Sequence, residues 1–367
     1  MSNMIFKLPQ DIIFDILSRL PIKSLLQFRC VCTSSPPLIS HPSFTNLRLS
    51  STTAAAAAAD HRLLIYYEST DYINQFYSLR SPISFQETLK LQIPYKTLHG
   101  YLRIVGSNKG LICFFDTNYY SNIGTVILWN PSIQKFKKID DPIHVVDKFS
   151  HFIIGFGFVS KKFEFKVVKI AYYLDNFKVH NDVLVYSLST NSWKKKDGMI
   201  APCYLMRGWS NNVFVNGFVN WLAFKEVISG VESVIMAFDL DKESFRVLEL
   251  PRNIVPGYDQ VCLVSYKESM SLCAHYFELN GERWDMWVMR NYRLVDSWNK
   301  VCVVSHPALS IPPLLMKNDH EVLVALNDGS LMLFDVIKNE MHDLETRGLH
   351  RSFCAISYTA SLALLDG

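Results

Sequence analysis

LWNPSIQKF, residues 128–136, is an apolar run closing on an aromatic at Trp129, then a polar turn, then a second aromatic seven positions later at Phe136. The same phrase returns as VYSLSTNSW (185–193), AFDLDKESF (237–245) and LFDVIKNEM (333–341). Two looser copies run from Tyr77-Ser78-Leu79 to Phe85 and from Trp287-Val288-Met289 to Trp298, the latter with a turn longer by four residues. Anchored on Tyr77, Trp129, Tyr186, Phe238, Trp287 and Phe334, the copies stand 52, 57, 52, 49 and 47 residues apart. A period of about 50 residues is one blade of a β-propeller. The expectation is a mainly β chain with six blades.

Further strand-like runs lie between the anchors, among them Lys166-Val167-Val168-Lys169-Ile170-Ala171, Asn212-Val213-Phe214-Val215 and Glu321-Val322-Leu323-Val324. With turns at Asn216-Gly217, Asn280-Gly281 and Asp328-Gly329, each blade has material for three or four antiparallel strands. Such a sheet alone leaves an edge and an apolar face exposed, and neighbouring blades cover the faces once the ring closes. Ser352 to Leu365 reads as a last strand pair with no turn phrase after it, so it is expected to clasp the first strands near Leu63 to Tyr67. Composition agrees: 24 Phe, 17 Tyr and 7 Trp stand beside 15 Gly and 15 Pro, strand formers with enough turn residues.

Thirty-seven basic and 34 acidic side chains leave a net charge of +3, too weak a field to point to nucleic acid or an anionic membrane; a protein partner is expected. The run Lys194 to Lys196 follows Trp193 at a strand end, where lysines keep an edge soluble. Asp11, Asp15, Arg19 and Lys23 interrupt the N-terminal apolar residues, so no signal-peptide core forms, and no run of ~18 apolar residues is present. The chain is expected to work inside the cell, in the cytoplasm or nucleus. Its eight cysteines are scattered, with no CxxC pair, and read as reduced, mostly buried small hydrophobes.

Chemistry-bearing patterns are sparse. Gly155-Phe156-Gly157 lacks the third glycine of a dinucleotide loop and the helix that would cap a phosphate, so strand glycines are the better account. No HExxH or zinc spacing occurs among the histidines and cysteines, and no cofactor or metal is expected. His275 reads as an outward strand residue. Asp239 and Asp335 recur just after the aromatic anchor in two blades, the mark of a turn device whose carboxylate accepts backbone N–H groups.

The N-terminus is different. LPQDIIFDILSRLPIKSLLQFRCVC, residues 8–32, places Ile12, Ile13, Ile16, Leu17 and Leu20 on one face of a helix that Pro9 opens and Pro21 stops. A second helix from Ser24 to Cys32 carries Leu25, Leu26, Phe28, Val31 and Cys32, with Lys23 and Arg29 on the polar side. Helices this short need outside cover. STTAAAAAAD, 51–60, looks like a spacer, so cover is expected from a second protein, with the helices standing apart from the body. The division reads as helices over 4–49, a spacer over 50–60 and the propeller over 61–367.

The series Leu8-Pro9-x-Asp11-Ile12-Ile13, then Ile16-Leu17-x-Arg19-Leu20-Pro21-x-Lys23-Ser24-Leu25-Leu26-x-Phe28-Arg29-Cys30-Val31-Cys32, resembles a plant F-box. The resemblance implies binding to a Skp-type adaptor and, through it, a cullin-RING ubiquitin ligase. Leu8, Pro9, Ile12, Ile13, Ile16, Leu17, Leu20, Pro21, Lys23, Leu25, Leu26, Phe28, Arg29, Val31 and Cys32 form the implied contact face. Where the family continues Lys-Ser-Trp-Arg, this chain has Thr33-Ser34-Ser35-Pro36-Pro37, so a weaker adaptor contact is expected; Ser40-His41-Pro42-Ser43-Phe44 returns to the pattern.

The body resembles the plant F-box-associated, kelch-like interaction domain through Gly106-Ser107-Asn108-x-Gly110-Leu111-Ile112-Cys113, Trp129-Asn130-Pro131-Ser132, Gly155-Phe156-Gly157-Phe158 and Phe214-Val215-Asn216-Gly217-x-x-x-Trp221-Leu222. The tail Ile356-Ser357-Tyr358 and Ser361 to Leu365 is further similar to S-locus F-box-like proteins, pollen factors that recognise a ribonuclease. The implied function is a non-catalytic substrate receptor for ubiquitination and proteasomal degradation. A propeller enzyme or lectin with an incidental helical arm is the alternative. Loops Asp116 to Gly124, Tyr173 to Asn181 and Tyr276 to Asp285, polar and aromatic in mixture, are the candidates to hold a target.

Overall fold

In the four clear copies of the phrase, the anchor and the residue seven positions later face each other across a hairpin: Trp129 with Phe136, Tyr186 with Trp193, Phe238 with Phe245, and Phe334 with Met341. Two residues before the second member, Gln134, Asn191, Glu243 and Asn339 take φ of 55°, 48°, 50° and 56°. One left-handed residue at a fixed place turns the chain back without glycine. The side chain after the anchor holds the turn: Asp239 Oδ1 accepts the N–H groups of Asp241 and Lys242, and Asp335 Oδ1 those of Ile337 and Lys338. These aspartates are turn devices, as expected. The looser copies differ. Tyr77 pairs with Leu91 while Phe85 sits buried in the turn at φ 58°, and Trp287 pairs with Lys300 while Met289 meets Trp298.

The computed structural model describes residues 9–31, 39, 41–50, 60–71, 74–98, 101–117, 124–140, 151–175, 178–199, 201–203, 212–228, 230–252, 254, 261–266, 269–278, 281–363 and 365. Helices α1 (Gln10–Ser18), α2 (Ile22–Val31) and α3 (Pro42–Ser50) precede the strands. The first blade joins β1 (His61–Glu68), β2 (Gln75–Arg80) and β3 (Glu87–Leu91) to the last strand, β24 (Cys354–Thr359). The second holds β4 (Tyr101–Asn108), β5 (Leu111–Thr117), β6 (Gly124–Asn130) and β7 (Lys135–Ile139). The third holds β8 (His151–Val159), β9 (Glu164–Asp175), β10 (Lys178–Ser187) and β11 (Ser192–Lys195). The fourth holds β12 (Val213–Val215), β13 (Phe218–Val227), β14 (Gly230–Asp239) and β15 (Ser244–Glu249). The fifth comprises β16 (Val261–Tyr266), β17 (Ser269–Glu278), β18 (Gly281–Met289) and β19 (Trp298–Ser305). The sixth comprises β20 (Leu315–Met316), β21 (Glu321–Ala325), β22 (Ser330–Asp335) and β23 (Glu340–Arg347), and Ser265 pairs with Leu315 to join the last two blades in one sheet.

Six apolar cores lie between neighbouring blades, one per interface, which closes the ring at six. A blade strand is covered on both faces. On β5, Leu111, Cys113 and Phe115 meet the third blade while Ile112 and Phe114 meet the first, which is why LICFF is continuously apolar instead of alternating. Gly155 and Gly157 let the fourth blade approach: a Cβ on Gly155 would stand 2.4 Å from Val219 and 2.6 Å from Trp221, and on Gly157 2.3 Å from the Phe214 ring.

The clasp forms as expected in register, Leu63 with Ser357 and Ile65 with Ala355. It is one strand, however, not a strand pair. Residues 360–363 leave the blade and run over the second, where Asn130 donates to the Ser361 and Ala363 carbonyls at 3.1 and 2.9 Å. Among the edge lysines, Lys194 and Lys195 sit on the outermost strand of their blade, and Lys196 pairs with Glu243.

Lys317 beside Glu321, the Lys338 N–H at Asp335 and Arg347 beside Asp343 hold these carboxyls below the ordinary range, Asp343 at about 2. A depressed folded pKa contributes stability above the unfolded value of about 4 and loses it as pH falls through the folded one. These three carboxyls should therefore lower the melting temperature as pH falls from about 4 to about 2, as followed by circular dichroism. His61, held below its ordinary value by burial, adds a decline that begins below about pH 6.5.

Candidate functional site

The three helices are held by short-range chemistry before they meet anything else. The Pro9 carbonyl accepts the N–H groups of Ile12 and Ile13, and the Pro21 carbonyl accepts that of Leu25, so each proline opens a helix. Arg19 pairs with Asp15 one turn away at 2.8 Å on the exposed side of α1. Inward, Leu17, Ile22, Leu25, Ile39 and Phe44 are buried together, with Phe14 edge-on to Phe44 at 5.1 Å.

The cover for that inner face comes from the same chain. Leu362 is buried in the helical cluster, with Ile133 and Ala360 packed against it. Asp60, at the entry to β1, accepts the Ile22 N–H at 3.1 Å, capping the positive end of α2. Its other oxygen meets Arg48 of α3 at 3.2 Å, and Arg48 in turn donates to the Ser18 carbonyl. The helices therefore do not stand apart from the body, and the reading of 50–60 as a free joint is corrected at its far end, because Asp60 is a buried clamp; 51–59 lie outside the described residues. Replacing Asp60 with alanine leaves the buried Arg48 guanidinium without its carboxylate, held only by the Ser18 carbonyl. The expected loss is about 3 kcal/mol of helical-domain stability, read as an early urea transition separate from that of the propeller.

This packing divides the implied adaptor face. Leu17 and Leu25 are sealed inside, and Ile13, Leu20, Pro21 and Leu26 are half-covered. Ile12, Ile16 and Phe28 keep 46%, 47% and 47% of their surface in water, and Pro9 and Lys23 are exposed. Ile12 and Ile16, four residues apart, share one face of α1. Leu8, Cys32 and Thr33 to Pro37 lie outside the described residues, as do the side chains of Arg29 and Val31. Leu362, Arg48 and Asp60 were not picked out from the sequence as helix contacts; the Arg48 and Asp60 charges beside apolar runs could have drawn notice, and Leu362 was read only as part of the apolar tail and closing strands.

Because blade strands alternate in direction, turns between first and second and between third and fourth strands lie at one end of the ring, and those between second and third at the other. The helices rest on the first end, through Ile133 in the β6–β7 turn, Asp60 before β1 and Leu362 beyond β24. The described ends of all three candidate loops fall at the opposite end, on the hairpins β5–β6, β9–β10 and β17–β18, while 118–123, 176–177 and 279–280 lie outside the described residues. There Tyr173 stacks on His180 at 5.8 Å, and Phe277 is 74% exposed beside His275. His275 does not point outward: it is buried and stacked on Trp284 at 4.2 Å, because a flat aromatic partner on the paired strand covers it.

Among the described residues no group of His, Cys, Asp or Glu could hold a metal ion, and no helix is long and apolar enough to cross a membrane. Residues 69–358 match the F-box associated beta propeller domain and residues 5–47 the F-box domain. An F-box/kelch-repeat protein of Arabidopsis thaliana is 25% identical over 361 residues, covering 91% of this chain and 89% of its own. F-box protein CPR1 of the same plant is 25% identical over 395 residues, covering 97% and 89%. Among solved structures, the Aleuria aurantia lectin superposes with a TM-score of 0.39 at 10% identity, over 80% of this chain and 96% of the lectin, a likeness with no bearing on activity.

Proposed function

This chain belongs to the F-box proteins that carry an F-box associated β-propeller, and on that premise we propose that it is the substrate receptor of a Skp-cullin-F-box ubiquitin ligase. The observation that carries the reading is the open apolar group Ile12, Ile16 and Phe28 on helices whose other side is already packed. An apolar helical face left in water next to a completed core is what a groove on a partner takes up.

The chain contributes position rather than bond chemistry. Held by its helices at one end and its target at the other, it raises the effective concentration of a target lysine near the loaded ubiquitin carrier. The docked helices suit this work, because a fixed angle between adaptor and propeller keeps the target in reach. The hairpins at the far end of the ring are the proposed target surface, and the role is placed inside the cell, in cytoplasm or nucleus. Co-expression with a Skp-type adaptor tests the proposal: a stable complex through size-exclusion chromatography is expected, and two separate peaks at micromolar concentration would overturn it.

A further inference from the structure

The fifth blade carries a row of sulfur across its strands. Cys262 on β16 faces Cys273 on β17, Cys273 faces Met286 on β18, and Met286 faces Cys302 on β19. The row lies on the side that packs on the sixth blade. Cys262 Sγ and Cys273 Sγ stand 2.7 Å apart as free thiols, nearer than the ~3.5 Å of ordinary non-bonded contact. Directly opposed antiparallel residues bring their Cβ atoms to within about 5 Å, at the border of what a disulfide spans. We propose that Cys262 and Cys273 are a redox pair, which a hydroperoxide converts to a disulfide joining the two inner strands of this blade.

The environments of the two sulfurs assign their roles. Cys262 is partly open to solvent, whereas Cys273 is fully buried and its thiol is pushed well above the ordinary value by burial, with Cys262 adding to the effect. Cys262, as thiolate, attacks one peroxide oxygen; the O–O bond breaks, the other oxygen leaves and is protonated, and a sulfenic acid remains. Cys273 sulfur then attacks the Cys262 sulfur, the S–O bond breaks, and the expelled hydroxide takes the Cys273 proton to leave as water. Two thiols and one hydroperoxide become one disulfide, one alcohol or water, and one further water. Cys302 does not compete: it stands two strands from Cys273, roughly 10 Å at the ~4.8 Å strand spacing, with Met286 between. In a reducing compartment such a bond is transient and reversed by dithiols. It would stiffen β17, the strand that carries His275 and Phe277 to the far end of the ring.

Peptide mapping of the full-length chain tests this, because Lys267 places a tryptic cut between the two cysteines. The reduced protein is treated with hydrogen peroxide, remaining thiols are blocked with N-ethylmaleimide, and the digest is kept non-reducing. A cross-linked pair of peptides, 253–267 with 268–283, that separates on adding dithiothreitol is expected, with Cys302 recovered alkylated. Recovery of Cys262 and Cys273 both alkylated, Cys262 over-oxidised without a link, or a link to Cys302 instead would overturn the proposal. As a second reading, Cys273→Ser should leave a Cys262 sulfenic acid that dimedone traps, whereas no adduct on a folded variant counts against it; the wild-type map stands if that variant does not fold.

Discussion

Ile12→Glu combined with Ile16→Glu is expected to weaken capture by a Skp-type adaptor at least about 100-fold while leaving the melting temperature within a degree or two of wild type. Both side chains keep nearly half their surface in water, so the folded chain loses little when they become polar. An adaptor groove loses two apolar anchors and must desolvate two carboxylates; at about 2 kcal/mol per anchor the sum reaches two to three orders of magnitude. A glutamate at position 12, in the first turn of α1, suits its positive end and offsets the less favourable one at position 16, in the last turn, so the helix persists. Leu25→Ala provides the contrast. Leu25 is fully buried, and its truncation should remove about 3 kcal/mol and lose the adaptor only through unfolding of the helices. Isothermal titration beside thermal melts separates the two, and an unchanged affinity in the double variant would sink the assignment of the open face.

The second large effect lies in the ring. Trp221 is fully buried between the third and fourth blades, packs over Gly155, and donates from Nε1 to the Ile154 carbonyl at 3.4 Å. Trp221→Ala should lower stability by about 4 kcal/mol, a large share of the ~5–15 kcal/mol that holds a folded domain. Gly155→Val should be comparably harmful for the opposite reason, since the new side chain has no room. Combined, the two should lose less than their sum, because one empties the space the other fills. Urea midpoints for the four proteins of the cycle measure the coupling, and strict additivity would show that the glycine and the indole do not share one space.

Much of this was readable along the chain, for a reason that individual residues make plain. Trp129 and Phe136, or Phe238 and Phe245, meet across a turn a few residues long. The contact, the turn and the left-handed residue between them are local, and their repetition spells the blade, the period and the count. The two helices were equally legible from spacing and prolines, although the first ends at Ser18, short of Leu20, and the second begins at Ile22, directly after Pro21, rather than at Ser24. The looser copies failed because their turns sit elsewhere: Arg80 pairs with Glu87, which leaves Phe85 inside the turn, and Met289 pairs with Trp298, which sends Trp287 to Lys300.

What no local pattern held was which half of each helical face would stay open. Leu17 and Ile16 are adjacent, equally apolar and equally placed for an amphipathic stripe, yet one is sealed and the other is not. The difference comes from Leu362, Ile133 and Asp60, brought to the helices only when the ring closes and the tail crosses the second blade. Burial is a property of the surface that arrives from elsewhere, and periodicity states only that some surface must arrive. Order, repeat and element type therefore reside in neighbouring residues, whereas the division between core and contact face belongs to the assembled ring.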